Sequence, residues 1–588
     1  SRSHAQRTPT VQATHARRPL TQTLWQRVAN LSAPTRVVIL ILLVAAAVRF
    51  AALNGLSDDY DEGVYWQSLR AMTAGHQLFT SVFSSQPPFF LLSVYPFYTQ
   101  LGQTIFAARL GIAIYSLLGL IAIYIAGRLI AGAWGGVVAC ALLAFDPLYF
   151  RESHTLQAEI PSLVFALIAV ALAAWAARLS DQAEATRSMA VGGVRGGVAS
   201  QWHALLVNLL SGVALGLGEM AKLWDVVALI PILAYAFAPE LARLESPQST
   251  QTTQESDSPG FTVLLYERLR AAVAPVVALA LGVALALLAI LAPFAASFSQ
   301  MYTQVVTFHT AAGQVQRVGL SQNLSIILGS NLYLTGIAAV VALALAVWRG
   351  FARDAAARRP LLALRMAPPA LWALASFVLL LAQHPLFAHH IALLAPPLAL
   401  MAALAAPLAT GAAPTARLHI LPSRRARRKK AAGLAPTTST RLALVWSVTG
   451  AMTLITLISL SLGVVSDQAA SQPLPTTTQT IVAALHLFTA PGDLVAGDDQ
   501  YLVALANRST PPQLVDTSQV RISSGYLTAS QLEGIITKDD VRYILFASGR
   551  FALIPGFSAW VKANCVQLAN FGAGRTLWER QPPGPVLA

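Results

Sequence analysis

The chain is short of charge and of cysteine. Only 11% of its 588 residues are Asp, Glu, Lys or Arg, against roughly 25% in a soluble domain, which excludes an ordinary water-soluble globule. Its two cysteines, Cys140 in an apolar run and Cys565 near the C-terminus, exclude a disulfide framework, a zinc-type spacing and a redox pair. Hydrophobic residues take the place of charge, at 55% of the chain. Several stretches run ~17–25 residues with few or no charges, the length needed to cross a hydrocarbon core. The sequence reads as a polytopic α-helical membrane protein.

Apolar segments fall at 37–53, 105–127, 132–150, 160–177, 204–221, 223–239, 271–296, 324–347, 366–382, 391–408 and 442–464. One more run, PPFFLLSVYPFYTQL at 87–101, is short and carries three prolines. Charge decides whether it spans. If it lies along the interface, then 1–36, Arg128, 178–203, 240–270, 348–365 and 409–441 share one side and hold 26 lysines and arginines. The opposite loops before residue 465 then hold only Arg70, Arg151, Lys222 and Arg317. This skew obeys the positive-inside rule, whereas a span at 87–101 would put RRARRKK (424–430) outside. The expectation is eleven transmembrane helices with the N-terminus inside.

The same sorting gives a basic cytoplasmic tail at 1–36 and a transmembrane domain at 37–464 with a large outer loop at 54–104. The first apolar run has no small-residue cleavage pattern after it and reads as an uncleaved anchor. The net charge of +14 belongs to topology and anionic lipid rather than to nucleic acid. Stretches 181–200 and 245–260 read as polar linkers, as does 465–477. Residues 478–588 change character, with helix-like 478–489, 499–507 and 528–537 between strand-like 493–497, 512–516 and 541–548, and a terminal pair near 565–580. That alternation predicts a small α/β C-terminal domain, extracytoplasmic by parity.

With sides assigned, the unusual polar residues gather on the outer face. They include Asp58, Asp59, Asp61 and Glu62 in the stretch DDYDEGVYWQSL, then Gln86, Glu159, Lys222, His309, Arg317 and the pair His389-His390. Ionisable groups at span ends pair with one another or line a wet cavity, and point to function. Each has a plainer reading. The acids suit the N-terminus of a helix starting near Gly63, and Lys222 suits an i, i+3 pair with Glu219. The adjacent histidines point to different helix faces, so no metal site is indicated, although a divalent ion remains compatible with the residue types.

The order of features resembles the GT-C superfamily of polyprenyl-phosphate-dependent glycosyltransferases, above all protein O-mannosyltransferases and aminoarabinose-transferase-like enzymes. It rests on Asp61-Glu62-Gly63-Val64-Tyr65 after the first span, Gln86-Pro87-Pro88-Phe89, Ala108-Arg109-Leu110 opening the second span, RESHTLQAEIP (151–161) and GLGEMAK (216–222). It covers roughly residues 37–410. Gln86 stands where relatives often carry Lys or His, and Glu159 where they often carry Asp. The C-terminal domain is not part of the resemblance.

The resemblance implies inverting transfer of a sugar from a polyprenyl-phosphate donor to a lipid, glycan or protein acceptor, outside the plasma membrane and without nucleic acid. Asp61 would be the base, with Glu62 orienting it. Lys222, then Arg317 and His309, would meet the lipid phosphate. Glu159, Tyr65 and Gln86 would contact substrate. Against this stand a transporter, which predicts repeats and polar groups at mid-membrane, a lipid-carrier ligase or polymerase, and a membrane-anchored binding module.

Overall fold

The computed structural model describes residues 30–53, 55, 59–189, 194–244, 273–330, 333–351, 359–405, 450–451, 454–463, 465 and 474–581. Asp58, the RRARRKK run and the 245–260 linker lie outside them. Among the described residues five helices are long and apolar enough to cross a membrane: Ala33–Ala51, Ile105–Ala144, Glu159–Ala183, Gln201–Ala221 and Val273–Val315. Shorter apolar helices include Asp225–Phe237, Met366–Ala382 and Ala388–Ala403.

The first helix, α1 (Ala33–Ala52), opens with Ser32 accepting a hydrogen bond from the Thr35 N–H. It carries Arg49, fully buried, whose Nε donates to Ser116 Oγ at 3.1 Å and whose NH2 donates to the Ala144 carbonyl at 2.9 Å. A charge in an apolar bundle persists when its donors are used inside protein. Here those bonds also fasten α1 to the next long helix. Two short helices follow, α2 (Tyr60–Thr73) and α3 (Pro88–Gln100), and then α4 (Ile105–Ala144), which breaks at Gly132. The break separates the segments expected at 105–127 and 132–150. After α5 (Pro147–Glu152) come α6 (Glu159–Met189), α7 (Val194–Ala221), α8 (Leu229–Leu244) and α9 (Val273–Leu291).

Helices α7 and α9 meet backbone to backbone. A Cβ on Gly212 would lie 2.0 Å from the Leu279 carbonyl oxygen, and one on Gly282 would lie 2.0 Å from that of Leu209. Small residues allow this approach where lipid gives helices no hydrophobic reason to associate. Beyond α9 the chain differs from the loop expected between the apolar segments at 271–296 and 324–347. It stays helical as far as Val315, through a π-turn at Thr303–Thr307.

The C-terminal part is a four-stranded mixed sheet with helices packed on it. Strands β1 (Val495–Gly497), β2 (Tyr543–Phe546), β3 (Cys565–Gly572) and β4 (Arg575–Arg580) lie in the order β1-β2-β4-β3. β1 and β2 are parallel, with Ala496 opposite Ile544, while β4 is antiparallel to both its neighbours. The strand expected at 512–516 is absent, and a 3-10 turn at Pro512–Leu514 takes its place. Successive prolines at 511 and 512 have no N–H to give a ladder. Cys140 and Cys565 are both free and buried.

Candidate active site

Helix α2 begins at Tyr60, three residues before the expected start. Asp59 is its N-cap, with Oδ1 accepting from the N–H of Asp61 at 2.9 Å and of Glu62 at 3.5 Å. The cap fixes where the next acids point. Asp61 and Tyr65, four apart, share one face and line a cavity of about 460 Å³. Glu62 turns away and is fully buried. Its carboxylate accepts from Arg109 Nε at 2.9 Å and NH2 at 2.5 Å, and from the Leu156 N–H at 2.6 Å. Glu62 therefore ties α2 to α4 and to the loop before α6, and does not touch the cavity.

The lysine comes from the end of α7. The Lys222 N–H closes the last turn on the Gly218 carbonyl at 3.0 Å. Its ammonium sits 3.7 Å from the centroid of the Trp224 ring and pairs with Glu159 at the start of α6. Glu219, the partner of the plainer reading, is not the one it pairs with. Lys222 and Trp224 line the cavity, while Glu159 stands behind the lysine with Oε2 buried and unpartnered. Gln86 reaches the cavity from a loop that Gln304 holds. That glutamine accepts from the Ser84 N–H at 2.9 Å and donates to the Phe79 carbonyl at 2.7 Å. His309 also faces the cavity, donating Nδ1–H to the Val305 carbonyl at 2.8 Å. Arg317 is exposed and does not line it.

The structure thus brings Asp61, Tyr65, Gln86, Lys222 and His309 to one cavity and leaves Glu62, Glu159 and Arg317 outside its lining, so the expected substrate contact of Glu159 gives way to its pairing with Lys222. His389 and His390 join them, and here the expectation of divergent faces is corrected. They sit on a 3-10 turn with ring centroids 4.5 Å apart, and both offer a ligand atom within 4.8 Å of Glu159. Glu159 is already engaged by Lys222, so this trio is a histidine-supported ion pair before it is a metal cage.

The cavity wall that sequence reasoning missed belongs to the C-terminal domain. Asp516, Ser518, Gln519 and Arg550 line it. The domain seats on α2 at Gly63, where a Cβ would come within 2.2 Å of the Tyr501 backbone nitrogen. Around that contact, Gln67 donates to the Arg508 carbonyl at 2.9 Å, and Arg70 donates to Asn507 at 2.8 Å. The Tyr60 hydroxyl accepts from the Thr517 N–H at 2.7 Å. Burial pushes the Asp61 carboxyl up to about 7, helped by the negative charges of Asp59, Asp516 and Glu159 and opposed by Lys222. An acid that titrates near neutrality suits proton abstraction from a hydroxyl.

No family model and no curated protein sequence matches this chain. Its fold is shared with a solved protein, ArnT from Cupriavidus metallidurans. In the apo state the likeness has a TM-score of 0.57 at 15% identity and covers 93% of this chain and 98% of that one. The structure of that protein bound to undecaprenyl phosphate gives 0.56 at 16% identity over the same shares. At this identity the likeness is one of fold.

Proposed function

We propose that this chain is a GT-C membrane glycosyltransferase that moves a sugar from a polyprenyl-phosphate donor to a hydroxyl or similar acceptor. The observation that carries the reading is that Asp61 and Lys222, from segments 161 positions apart (222 − 61), face one cavity. Asp61 takes the acceptor proton as the acceptor oxygen attacks the anomeric carbon. The bond from that carbon to the lipid phosphate breaks on the opposite face, which inverts the configuration. The departing phosphate gains charge beside Lys222, where a fixed cation stabilises it. Tyr65, Gln86 and His309 supply contacts to sugar or phosphate, and Glu159 holds the lysine in place. Undecaprenyl phosphate in the structural neighbour supports a lipid-phosphate donor. The chain is read as crossing the plasma membrane eleven times, with the site and the C-terminal domain outside.

The test is release of labelled sugar from a panel of polyprenyl-phosphate sugars by the purified protein. Asp61→Asn should lower transfer by roughly 10²–10⁴-fold while leaving membrane insertion and melting temperature intact. Near-wild-type transfer by that variant would sink the assignment. Lys222→Ala should chiefly raise the donor concentration needed for half-maximal rate.

A further inference from the structure

The cavity holds a second cation that the reaction above does not use. Arg550 follows β2, in a loop held by the buried Asp498. That carboxylate accepts from the N–H groups of Ala547 at 2.6 Å, Ser548 at 3.0 Å and Phe551 at 3.2 Å. Arg575 adds a bond from Nε to the Ala547 carbonyl at 3.0 Å. The Arg550 guanidinium is laid over the Tyr60 ring, 3.7 Å from its centroid, with NH1 donating to the Asp498 carbonyl at 3.1 Å. It lines the cavity. Among the described residues no carboxylate pairs with it, whereas Lys222 is paired with Glu159 and Arg109 with Glu62.

Anion binding is the chemistry such a group supplies. A guanidinium has five N–H donors in a planar fork that fits phosphate or carboxylate, and aromatic stacking leaves its edge free. One NH1 bond uses part of the fork. The loop is anchored by three backbone donors on one buried acid, so the cation is held ready rather than swinging in solvent. Arg550 also lies on the C-terminal wall, against Tyr60, the residue before Asp61. Lys222 is on the wall made by the helical bundle.

We propose that Arg550 is the anion-recognising residue of the acceptor subsite, and that the acceptor carries a phosphate-like or carboxylate group close to the oxygen that is glycosylated. This rests on the glycosyltransferase reading, but its test does not need turnover. Inorganic phosphate serves as the acceptor-type probe and farnesyl phosphate as the donor-type probe, with dissociation constants measured on the full chain in lipid nanodiscs.

Arg550→Gln should weaken inorganic phosphate about tenfold or more, the size of one lost charged hydrogen bond, and Arg550→Lys should recover part of the loss. Farnesyl phosphate should weaken with Lys222→Ala and not with Arg550→Gln. Asp516→Asn, which removes a negative charge from the same Tyr60 hydroxyl, should tighten inorganic phosphate, a gain that misfolding would not produce. Unchanged phosphate affinity in Arg550→Gln overturns the proposal. So does a loss of farnesyl phosphate binding in that variant as large as in Lys222→Ala, since Arg550 would then hold the donor. Failure of the transfer assay with Asp61→Asn behaving as wild type would instead remove the parent reading and leave the phosphate measurements standing.

Discussion

Asp59 and Asp61 are two residues apart and have different tasks. The first spends its carboxylate on the backbone of α2; the second presents its carboxylate to the cavity with an affinity for protons raised to about 7. A general base works only when deprotonated. The rate at low substrate should therefore climb tenfold per pH unit below about 7 and level off above it. Asp516 is among the negative charges that raise Asp61, so Asp516→Asn should move the midpoint to lower pH. A pH–rate profile checks both statements, and a midpoint in the ordinary carboxylate range near 4 would remove Asp61 from the role. Glu62, the other acid of the stretch, belongs to packing. Arg109→Leu leaves its carboxylate buried without the guanidinium and should cost roughly 3–5 kcal/mol, read as a drop in melting temperature.

At the scale of elements, the seat of the C-terminal domain on α2 sets the shape of the cavity. Gly63 lets the Tyr501 backbone approach to where a side chain would be. Gly63→Val puts bulk against a backbone that has no rotamer to escape into, and overpacking of this kind costs typically ~1–3 kcal/mol. The expected outcome is faster proteolytic release of a C-terminal fragment and reduced transfer, with the helical bundle unfolding at its usual temperature. Element types were legible where a local pattern exists. The cap of α2, the break at Gly132 between the apolar segments at 105–127 and 132–150, and β1, β2 and the β3–β4 pair all follow from periodicity and turn chemistry. The reading failed where the cause is not periodic. Prolines at 511 and 512 forbade a strand at a place whose apolar content suggested one. Gln, Thr and His residues within 297–315 masked a helix.

At the scale of the whole molecule, the site is a product of long-range contact. Lys222 meets Glu159 across 63 residues of chain (222 − 159), and Asp61 shares a cavity with residues beyond 510. No window of sequence contains such a pairing. Lys222 and Glu159 were legible as candidates because charge at a span end is expensive, whereas Asp516 and Arg550 sit in a water-exposed type of sequence where charge is unremarkable. Sidedness is the remaining test at this scale. In a Cys565→Ser background, Ser530→Cys on the exposed surface of the C-terminal domain should react with a membrane-impermeant maleimide in intact cells. Reaction only after lysis would place that domain inside and overturn the odd number of spans.

Glu62 and Gly63 are neighbours on α2, and the partners that hold them are made at very different times. Arg109 and Leu156 leave the ribosome soon after Glu62, but Tyr501 follows 439 residues later (501 − 62), about 20–90 s at ~5–20 residues per second. During that interval the acidic helix is anchored on one side and bare on the other. Its uncovered face, with Trp66 meant to meet the Tyr501 ring, is open to any passing apolar surface. The protein is therefore born with its acidic helix waiting, and a chaperone that guards the segment in that window would act on the yield of folded protein without touching the finished fold.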